Sequence, residues 1–331
     1  MRRYFLRKLL IYLATFVVAV TIDWAIPRFM PGDPVQTLIS RVPAGDPESA
    51  RAITEYYNSV FGLDVPIWQQ YLNFWSSLLH GDLGISVYAF PQSVTSVIWH
   101  AIPYTLGLLI PAILISWWAG NKFGALAARR KSLDNTVLPV GYVLSATPYM
   151  WLGILLAWGL ASELQWFPIS GGYSLSVEPN LSLSFVWDLL NHWFLPFLSL
   201  FLVAFGGWAI GMRNMIIYEL ESDYAHYLEA LGAPQRLVRR YAFRNAVLPQ
   251  VTGLALQLGV IVAGCLVTEI VFSYPGLGHL ILEAIRNQDY FLLQGSFLFI
   301  IVGVLVANFL VDIAYLVLDP RTRAGMQGGR A

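Results

Sequence analysis

Six long apolar segments alternate with polar connections along this chain, and that pattern decides the fold class. Runs without charged residues cover 9–22, 102–121, 135–162, 189–212, 245–268 and 290–311. All but the first reach the roughly 20 residues that a helix needs to cross a bilayer core. The first run is extended beyond Asp23 by the apolar Trp24 to Ile26. The pattern predicts an all-α membrane protein with six transmembrane helices.

The most distinctive polar connection lies between the fourth and fifth apolar segments, at 219–249. It reads ELESDYAHYLEALGAPQRLVRRYAFRNAVLP. The pattern predicts a short helix over 223–231, a stop at Gly232 and a second helix that begins at Pro234. The chain then returns into the membrane at Leu248 and Pro249, so the connection forms a lever between two spans.

One face of the short helix, which begins at Asp223, is too apolar for a helix in water. Tyr224, Tyr227, Leu228 and Leu231 follow each other at helical spacing. A contiguous apolar face on a polar connection is typical of a protein interaction surface. We therefore expect this face to fit a groove on another protein.

The second helix of the connection carries an arginine stripe. Arg236, Arg239, Arg240 and Arg244 are spaced by three, one and four residues. They either contact anionic headgroups and acidic groups of a partner, or they simply anchor this side of the chain. Both interpretations stay open at this point.

Composition and charge distribution support the membrane assignment and add an orientation. Hydrophobic residues make up 57% of the chain and charged residues only 12%, far from the composition of soluble domains. Six spans put both termini on one side, together with sixteen of the twenty lysines and arginines. Only Arg28, Arg41, Arg51 and Arg286 lie on the other side. The positive-inside rule therefore predicts cytoplasmic termini and a cytoplasmic 219–249 connection.

The basic start followed by an apolar run also resembles a secretory signal peptide. No small-residue cleavage pattern precedes Pro27, which favours an uncleaved first helix.

An external insertion of about 70 residues separates the first two spans. Its first predicted helix starts at Asp46 and Pro47 and ends before Gly62; its second begins after Pro66 and stops at Gly81. On the second helix five apolar residues share one side and suit either the membrane surface or packing on other helices: Trp68, Tyr71, Leu72, Trp75 and Leu79. The expected domains are therefore 1–30 with the first span, 31–100 as the insertion and 101–331 as a core with five spans.

Several motifs resemble the permeases of ABC importers, in the dipeptide, oligopeptide and nickel branch. They are PGDP (31–34), GLDVPIWQQYLNF and GDLGIS within 62–86, TEIVFSYPGLG (268–278) and LDPRTR (318–323). In that branch an Ala-x-Gly element followed by Leu-Pro marks the coupling helix that docks on an ATPase subunit. Here these positions are Ala230, Gly232, Leu248 and Pro249, whereas the Glu-Ala-Ala triplet of the wider superfamily is not matched.

The resemblance implies a set of partners and a pathway. The partners are a second permease subunit, cytosolic ATPase subunits, an external solute-binding protein and membrane lipid, with no nucleic acid and no cofactor. The SYPGLG segment helps to line the outer mouth in this family, which assigns Tyr274 and Pro275 to the translocation pathway. Glu269 is an ionisable residue at the outer end of the fifth apolar run, and such groups mark functional sites by default. It either lines the pathway or braces the following turn.

No catalytic pattern appears in the sequence. A pair such as His279 and Glu283 lacks a third metal ligand, and Cys265, the single cysteine, has no partner for a disulfide. Neither an HExxH zinc signature, a GxSxG elbow nor a GxxxxGK[ST] phosphate loop is present. We therefore expect a non-catalytic subunit with ATP hydrolysis on separate chains.

Three substrate classes and one other transporter class remain possible. Short peptides are the first expectation from the resemblance, with oligosaccharides or nickel as alternatives. Aromatic residues beside the external loops would also suit sugar rings. An ion-coupled secondary transporter would need acidic groups near mid-membrane, and these are absent from the second to fifth runs.

Overall fold

The computed structural model describes residues 2–29, 51, 54–56, 58–59, 62, 64–180 and 182–318, and these are almost entirely helical. The PGDP motif at 31–34, Asp46, Pro47 and residues 319–323 lie outside the described residues. The helices are α1 (Arg2–Ala25), α2 (Ile67–Leu79), α3 (Val94–Ala127), α4 (Lys131–Ala146), α5 (Tyr149–Leu156), α6 (Leu183–Leu220), α7 (Asp223–Ala230), α8 (Gln235–Val271), α9 (Leu277–Arg286) and α10 (Tyr290–Leu318).

The apolar runs become helices of membrane-crossing length. Within the described ranges, four stretches are long and apolar enough by themselves: Leu6–Phe29, Val94–Ala127, Leu183–Leu220 and Tyr290–Ile313. Two further pairs of consecutive helical segments are each bent by more than 40° at a short break. Counting each pair as one span raises the number to six. The all-α membrane class is therefore confirmed.

The third apolar run forms two helices and not one continuous rod. α4 and α5 meet at an angle of 103°, and α5 continues as a π-helical segment, Ala157–Glu163. The bend falls at Thr147 and Pro148. Thr147 is extended (φ −79°, ψ 127°), as steric contact with a following proline favours, and Pro148 has no N–H to continue the helix. A charge-free run reports depth in the membrane and not straightness. Pro148 was the available signal, but Pro139 and Pro196 lie inside continuous helices, so a proline alone does not locate a bend.

The described chain divides into two compact units. The larger comprises residues 104–180, 182–274 and 306–318, and the smaller comprises the other described residues up to 103 together with 275–305. Each unit is described by itself below.

Small residues bring the helices of the larger unit close together. A Cβ at Gly206 of α6 would lie 2.6 Å from the carbonyl oxygen of Gly141 in α4, so only glycine fits at this crossing. Gly124 of α3 meets the backbone of Ala209 in the same way. Glycine contacts of this kind are the usual means of tight helix packing in membranes.

An ion pair also joins α4 and α6. Arg213 of α6 donates from Nε and Nη2 to the two carboxylate oxygens of Asp134 in α4, at 2.8 and 2.6 Å. This two-point geometry fixes the relative rotation of the helices as well as their distance.

In the smaller unit, α2 packs on α1 through aromatic side chains. The Tyr71 hydroxyl lies 3.0 Å from Thr21 Oγ1, and its ring meets Trp24 edge to face at 4.9 Å between ring centres. Trp75 meets Phe16 similarly at 6.4 Å. The other three members of the predicted face, Trp68, Leu72 and Leu79, are exposed. The face thus divides between packing on another helix and a free surface.

Asp289 ties the GDLGIS motif to the start of α10. Its carboxylate accepts hydrogen bonds from Ser86 Oγ at 2.6 Å and from the Tyr88 and Leu292 backbone N–H groups at 2.9 Å each. Burial raises the pKa of this carboxyl above its ordinary value. The contact spans about two hundred residues, which explains why the sequence pattern did not predict it.

Candidate functional site

The 219–249 connection folds largely as its sequence pattern predicts. α7 begins at Asp223, where a negative charge is favourable beside the helix N-terminus, and ends at Ala230. Gly232 has φ +77°, a left-handed conformation that side chains with a Cβ resist. α8 then begins directly after Pro234. The short helix, the glycine stop and the proline start are therefore confirmed.

The predicted apolar face of α7 is only partly free. Tyr227 and Leu231 are 65% and 66% exposed. Leu228 is half-buried, and the Tyr224 side chain turns back toward the neighbouring helices. Tyr227 and Leu231 are therefore the members of this face that remain exposed in the described part of the chain.

Glu219 joins three helices at the base of α7. Its Oε2 accepts a hydrogen bond from the Tyr224 hydroxyl at 2.7 Å and one from Asn245 Nδ2 at 3.1 Å. Its backbone carbonyl accepts from Ser222 Oγ at 2.6 Å. Glu219 lies in the last turn of α6, Tyr224 in α7 and Asn245 in α8, so this one side chain connects α7 to both long helices.

The Tyr224 hydroxyl is the donor in its hydrogen bond to Glu219. Burial, and then the neighbouring Glu219 carboxylate, raise the pKa of the Tyr224 hydroxyl, so it stays a donor. Sequence reasoning missed Glu219 and Asn245. Glu219 begins the connection, and Asn245 lies four residues before its end.

The other predicted residues of this region lie apart from the α7 face. Ala230 ends the helix and is exposed. Pro249 lies inside α8, fourteen residues after its start at Gln235, which is about 21 Å along a helix axis. Pro249 is exposed. The next residue, Gln250, lines a separate cavity at the bend between α4 and α5.

A cavity of about 540 Å³ opens where α4 and α5 bend, against α6 and α8. Its polar lining residues are Ser145, Thr147, Tyr149, Gln250 and Gln257. Its volume falls within the roughly 300–1,000 Å³ of small-molecule sites. No lining residue of this cavity in the described part of the chain carries a charge.

Glycines and two glutamines give this cavity its shape. Gln250 is buried, packs beside Gly211 and accepts a hydrogen bond from Trp117 Nε1 at its backbone carbonyl, 3.4 Å away. Gln257 is exposed and lies two turns further along α8. An exposed amide within an apolar span is unfavourable against lipid, which points to a watery surface.

Sequence reasoning did not single out these glutamines because it searched the spans for charged groups. The available signal was the two glutamines, Gln250 and Gln257, within the mostly apolar run 245–268.

Glu269 and the SYPGLG segment occupy the opposite end of α8. Glu269 is fully buried, and its backbone carbonyl accepts from the Tyr274 N–H at 2.8 Å. Cys265 Sγ lies 3.8 Å from Glu269 Oε1. Tyr274 is buried against Tyr104 at 5.7 Å between ring centres, whereas Pro275 is half-buried. The three residues predicted for the pathway are thus neighbours along the chain, and neither assignment of Glu269 is tested by this geometry.

Comparisons with known proteins agree with the helical membrane fold. The family model described as "Binding-protein-dependent transport system inner membrane component" matches residues 120–324. The chain is 32% identical to the di/tripeptide transport system permease protein DppB of Pseudomonas aeruginosa, over 96% of this chain and 97% of that protein. It is 30% identical to the dipeptide transport system permease protein DppB of Escherichia coli K12, over 98% and 99%. It is also 28% identical to the oligopeptide transport system permease protein AppB of Bacillus subtilis, over 97% and 99%.

Proposed function

Because the chain belongs to the family of binding-protein-dependent transport system inner membrane components, we propose that it is the permease subunit of an ATP-driven importer that forms a translocation path for short peptides. The similarity extends over nearly the full length of relatives that are named dipeptide and oligopeptide transport permeases. The observation that carries the proposal is the exposed tip of α7, tied through Glu219 to the two long helices.

The proposed orientation places α7 and both termini in the cytoplasm. The excess of lysine and arginine on that side supports it. There the exposed Tyr227 and Leu231 dock in a groove of an ATPase subunit. ATP is bound and hydrolysed on that separate subunit, since this sequence contains no phosphate-binding loop.

The transport step is a shift between two packings of the helices, driven by the nucleotide through α7. When the ATPase subunits close, they displace α7, and the displacement reaches α6 and α8 through Glu219 and Asn245. α8 also lines the cavity with Gln250 and Gln257, so the moving helix is a wall of the proposed path. A second permease subunit faces the exposed Leu256 and Val260 beside Gln257 and completes that path.

The cavity lining supports peptides as the substrate. Amide and hydroxyl groups of Gln250, Gln257, Ser145 and Thr147 can pair with peptide N–H and C=O groups whatever the side chains are. Because no described lining residue is charged, the cavity does not favour peptides of one particular net charge. An external solute-binding protein would select the peptide and deliver it to the outer loops.

The alternatives fit this cavity less well. Nickel prefers imidazole, thiolate or carboxylate ligands, and the described lining residues include none of these. Oligosaccharides remain the second candidate, because Trp208 and the same amides could contact a sugar ring. An ion-coupled secondary transporter would need a carboxylate in such a cavity.

Reconstitution tests the proposed function. The purified transporter, with both permeases and its ATPase subunits, is placed in vesicles with its solute-binding protein and radiolabelled dipeptide. We expect uptake that requires ATP, persists when ion gradients are collapsed and is competed by unlabelled peptides but not by oligosaccharides. Uptake that follows an ion gradient without ATP would contradict it.

Thiol labelling tests the orientation separately. The native Cys265 is buried, so single introduced cysteines can be read against a low background. Gln235→Cys should react with an impermeant reagent only after cells are opened, and Ser176→Cys should react in intact cells. Both positions are exposed. The reverse pattern would overturn the orientation.

A further inference from the structure

A second cavity, distinct from the proposed path, lies between the end of α3 and the beginning of α8. Its volume is about 820 Å³. Five of its ten lining residues are cationic: Lys122, Arg129, Arg236, Arg239 and Arg240. The others are apolar, and none of the lining residues is acidic.

The basic groups of this cavity are available for an anion. All five side chains belong to exposed residues. Within the described ranges, none of them forms an ion pair with a carboxylate. Lys122 Nζ lies 5.8 Å above the Phe243 ring, a cation–π contact that holds the ammonium group against the apolar wall.

The position of the cavity matches the depth of lipid headgroups. The charge-free run of α3 ends at Asn121, directly before Lys122, and the run of α8 begins at Asn245, two residues after Phe243. The cavity therefore lies next to the apolar runs of both helices, on the charged side of each boundary. Within these segments the five cations alternate with Leu126, Leu237 and Phe243, which supply apolar surface.

We propose that this cavity binds the headgroup of an anionic phospholipid, with the first part of its acyl chains on the apolar wall. Basic pockets between transmembrane helices on the cytoplasmic side are suited to such headgroups. The chain's own terminal segments are poor occupants because they are basic, with Arg2, Arg3, Arg7 and Lys8 at one end. Arg321, Arg323 and Arg330 lie near the other.

The proposal assigns the arginine stripe more finely than general anchoring does. Arg236, Arg239 and Arg240 line the cavity, whereas Arg244 does not. Lys122 and Arg129 join the site from α3, more than a hundred residues away in sequence. A specific site should therefore distinguish lining from non-lining cations on the same side of the membrane.

Two double variants make that distinction with equal loss of charge. The first is Lys122→Gln with Arg129→Gln, which removes two lining cations. The matched control is Arg130→Gln with Lys131→Gln, which removes the same residue types from exposed neighbours that do not line the cavity. Native mass spectrometry of the full transporter, titrated with phosphatidylglycerol or with zwitterionic phosphatidylethanolamine, measures lipid occupancy.

We expect the parent and the control to hold phosphatidylglycerol in preference to phosphatidylethanolamine. The cavity variant should bind it roughly 30-fold more weakly, from about 1 kcal/mol for each basic residue near an anionic surface. Glycerol phosphate without acyl chains should not displace the lipid from the parent.

Three results would overturn the proposal. Equal weakening in both double variants would leave only general attraction to the cytoplasmic side. Displacement by glycerol phosphate would identify a phosphate site without lipid. Loss of ATPase subunits from the cavity variant, with lipid binding unchanged, would make this face a protein contact. Since occupancy is read without transport, failure here is distinguishable from failure of the peptide import proposal.

Discussion

The 219–249 connection and the cavity at the α4–α5 bend use polar groups in opposite ways. The connection exposes charged and aromatic side chains and fixes its base through Glu219, Tyr224 and Asn245. The cavity is lined by amides, hydroxyls and small residues without a charge. In the proposed function, the connection transmits force and needs fixed contacts, whereas the cavity lets the peptide pass and needs hydrogen-bonding groups that do not hold it. Variants in the two regions should therefore have different effects on transport.

The largest expected effect is at the turn after α7. Gly232→Leu should lower ATP-dependent uptake roughly tenfold while ATP hydrolysis continues, because a left-handed residue with a Cβ costs about 1–2 kcal/mol. No neighbouring atom lies within 4 Å of the added Cβ, so the effect comes from the backbone and not from a steric clash. The measurement is uptake and hydrolysis in the same vesicles.

Gly232→Asn is the control, because asparagine enters the left-handed region more readily. It should keep most of the uptake. If leucine and asparagine behave alike, the turn geometry is not what matters.

The next effect is at the base of α7. Glu219→Ala should lower the number of peptides moved per ATP severalfold, because the hydrogen bonds from Tyr224 and Asn245 are lost together. Glu221→Ala, two residues further along at an exposed position, is the matched control and should be neutral.

Tyr224→Phe and Asn245→Ala provide an internal check on this cluster. Because both bonds end on the same oxygen, their effects should not add in the double variant. Strict additivity would show that Glu219 does not link the helices.

A smaller effect is expected in the cavity. Gln257→Leu should raise the peptide concentration needed for half-maximal uptake, because it changes the lining of the cavity. It should leave the uptake-to-hydrolysis ratio unchanged, because it does not alter the 219–249 connection. If Gln257 faces lipid instead, leucine should be neutral or stabilising. Titration of uptake against peptide concentration distinguishes these outcomes, with Gln257→Asn as the conservative variant.

The smallest effect concerns Glu269, for which two roles remain. As a pathway group, Glu269→Gln should lower uptake without lowering the melting temperature. As a brace for the SYPGLG turn, Glu269→Gln should transport normally, and Glu269→Ala should cost about 1–3 kcal/mol of stability. Uptake and melting temperature of both variants decide between them.

The helices of this protein follow from its sequence to different degrees. Apolar runs predicted the long helices from their hydrophobicity. Gly232 and Pro234 predicted where α7 ends and where α8 begins, because each acts on local backbone geometry. The bend at Pro148 was not predicted, because prolines also lie inside the continuous helices α4 and α6 and a proline alone does not locate a bend.

The candidate sites divide in the same way. The exposed Tyr227 and Leu231 were predicted from helical spacing alone. The partners of Glu219 and the lining of the 540 Å³ cavity depend on which helices pack together, and no local pattern contains that information. Tyr224 shows the limit clearly: its spacing was right for the face, but Glu219 turned its hydroxyl inward.

The most direct test of the account is a crosslink from the exposed tip of α7. Leu231→Cys, in the assembled transporter with Cys265 buried, is treated with a short thiol-to-amine crosslinker in the presence and absence of ATP. The account predicts a covalent product with an ATPase subunit, in a yield that changes with nucleotide, and no such product from Ser176→Cys. If Leu231→Cys reacts freely with solvent reagents and never joins an ATPase subunit, α7 is not the contact through which transport is driven.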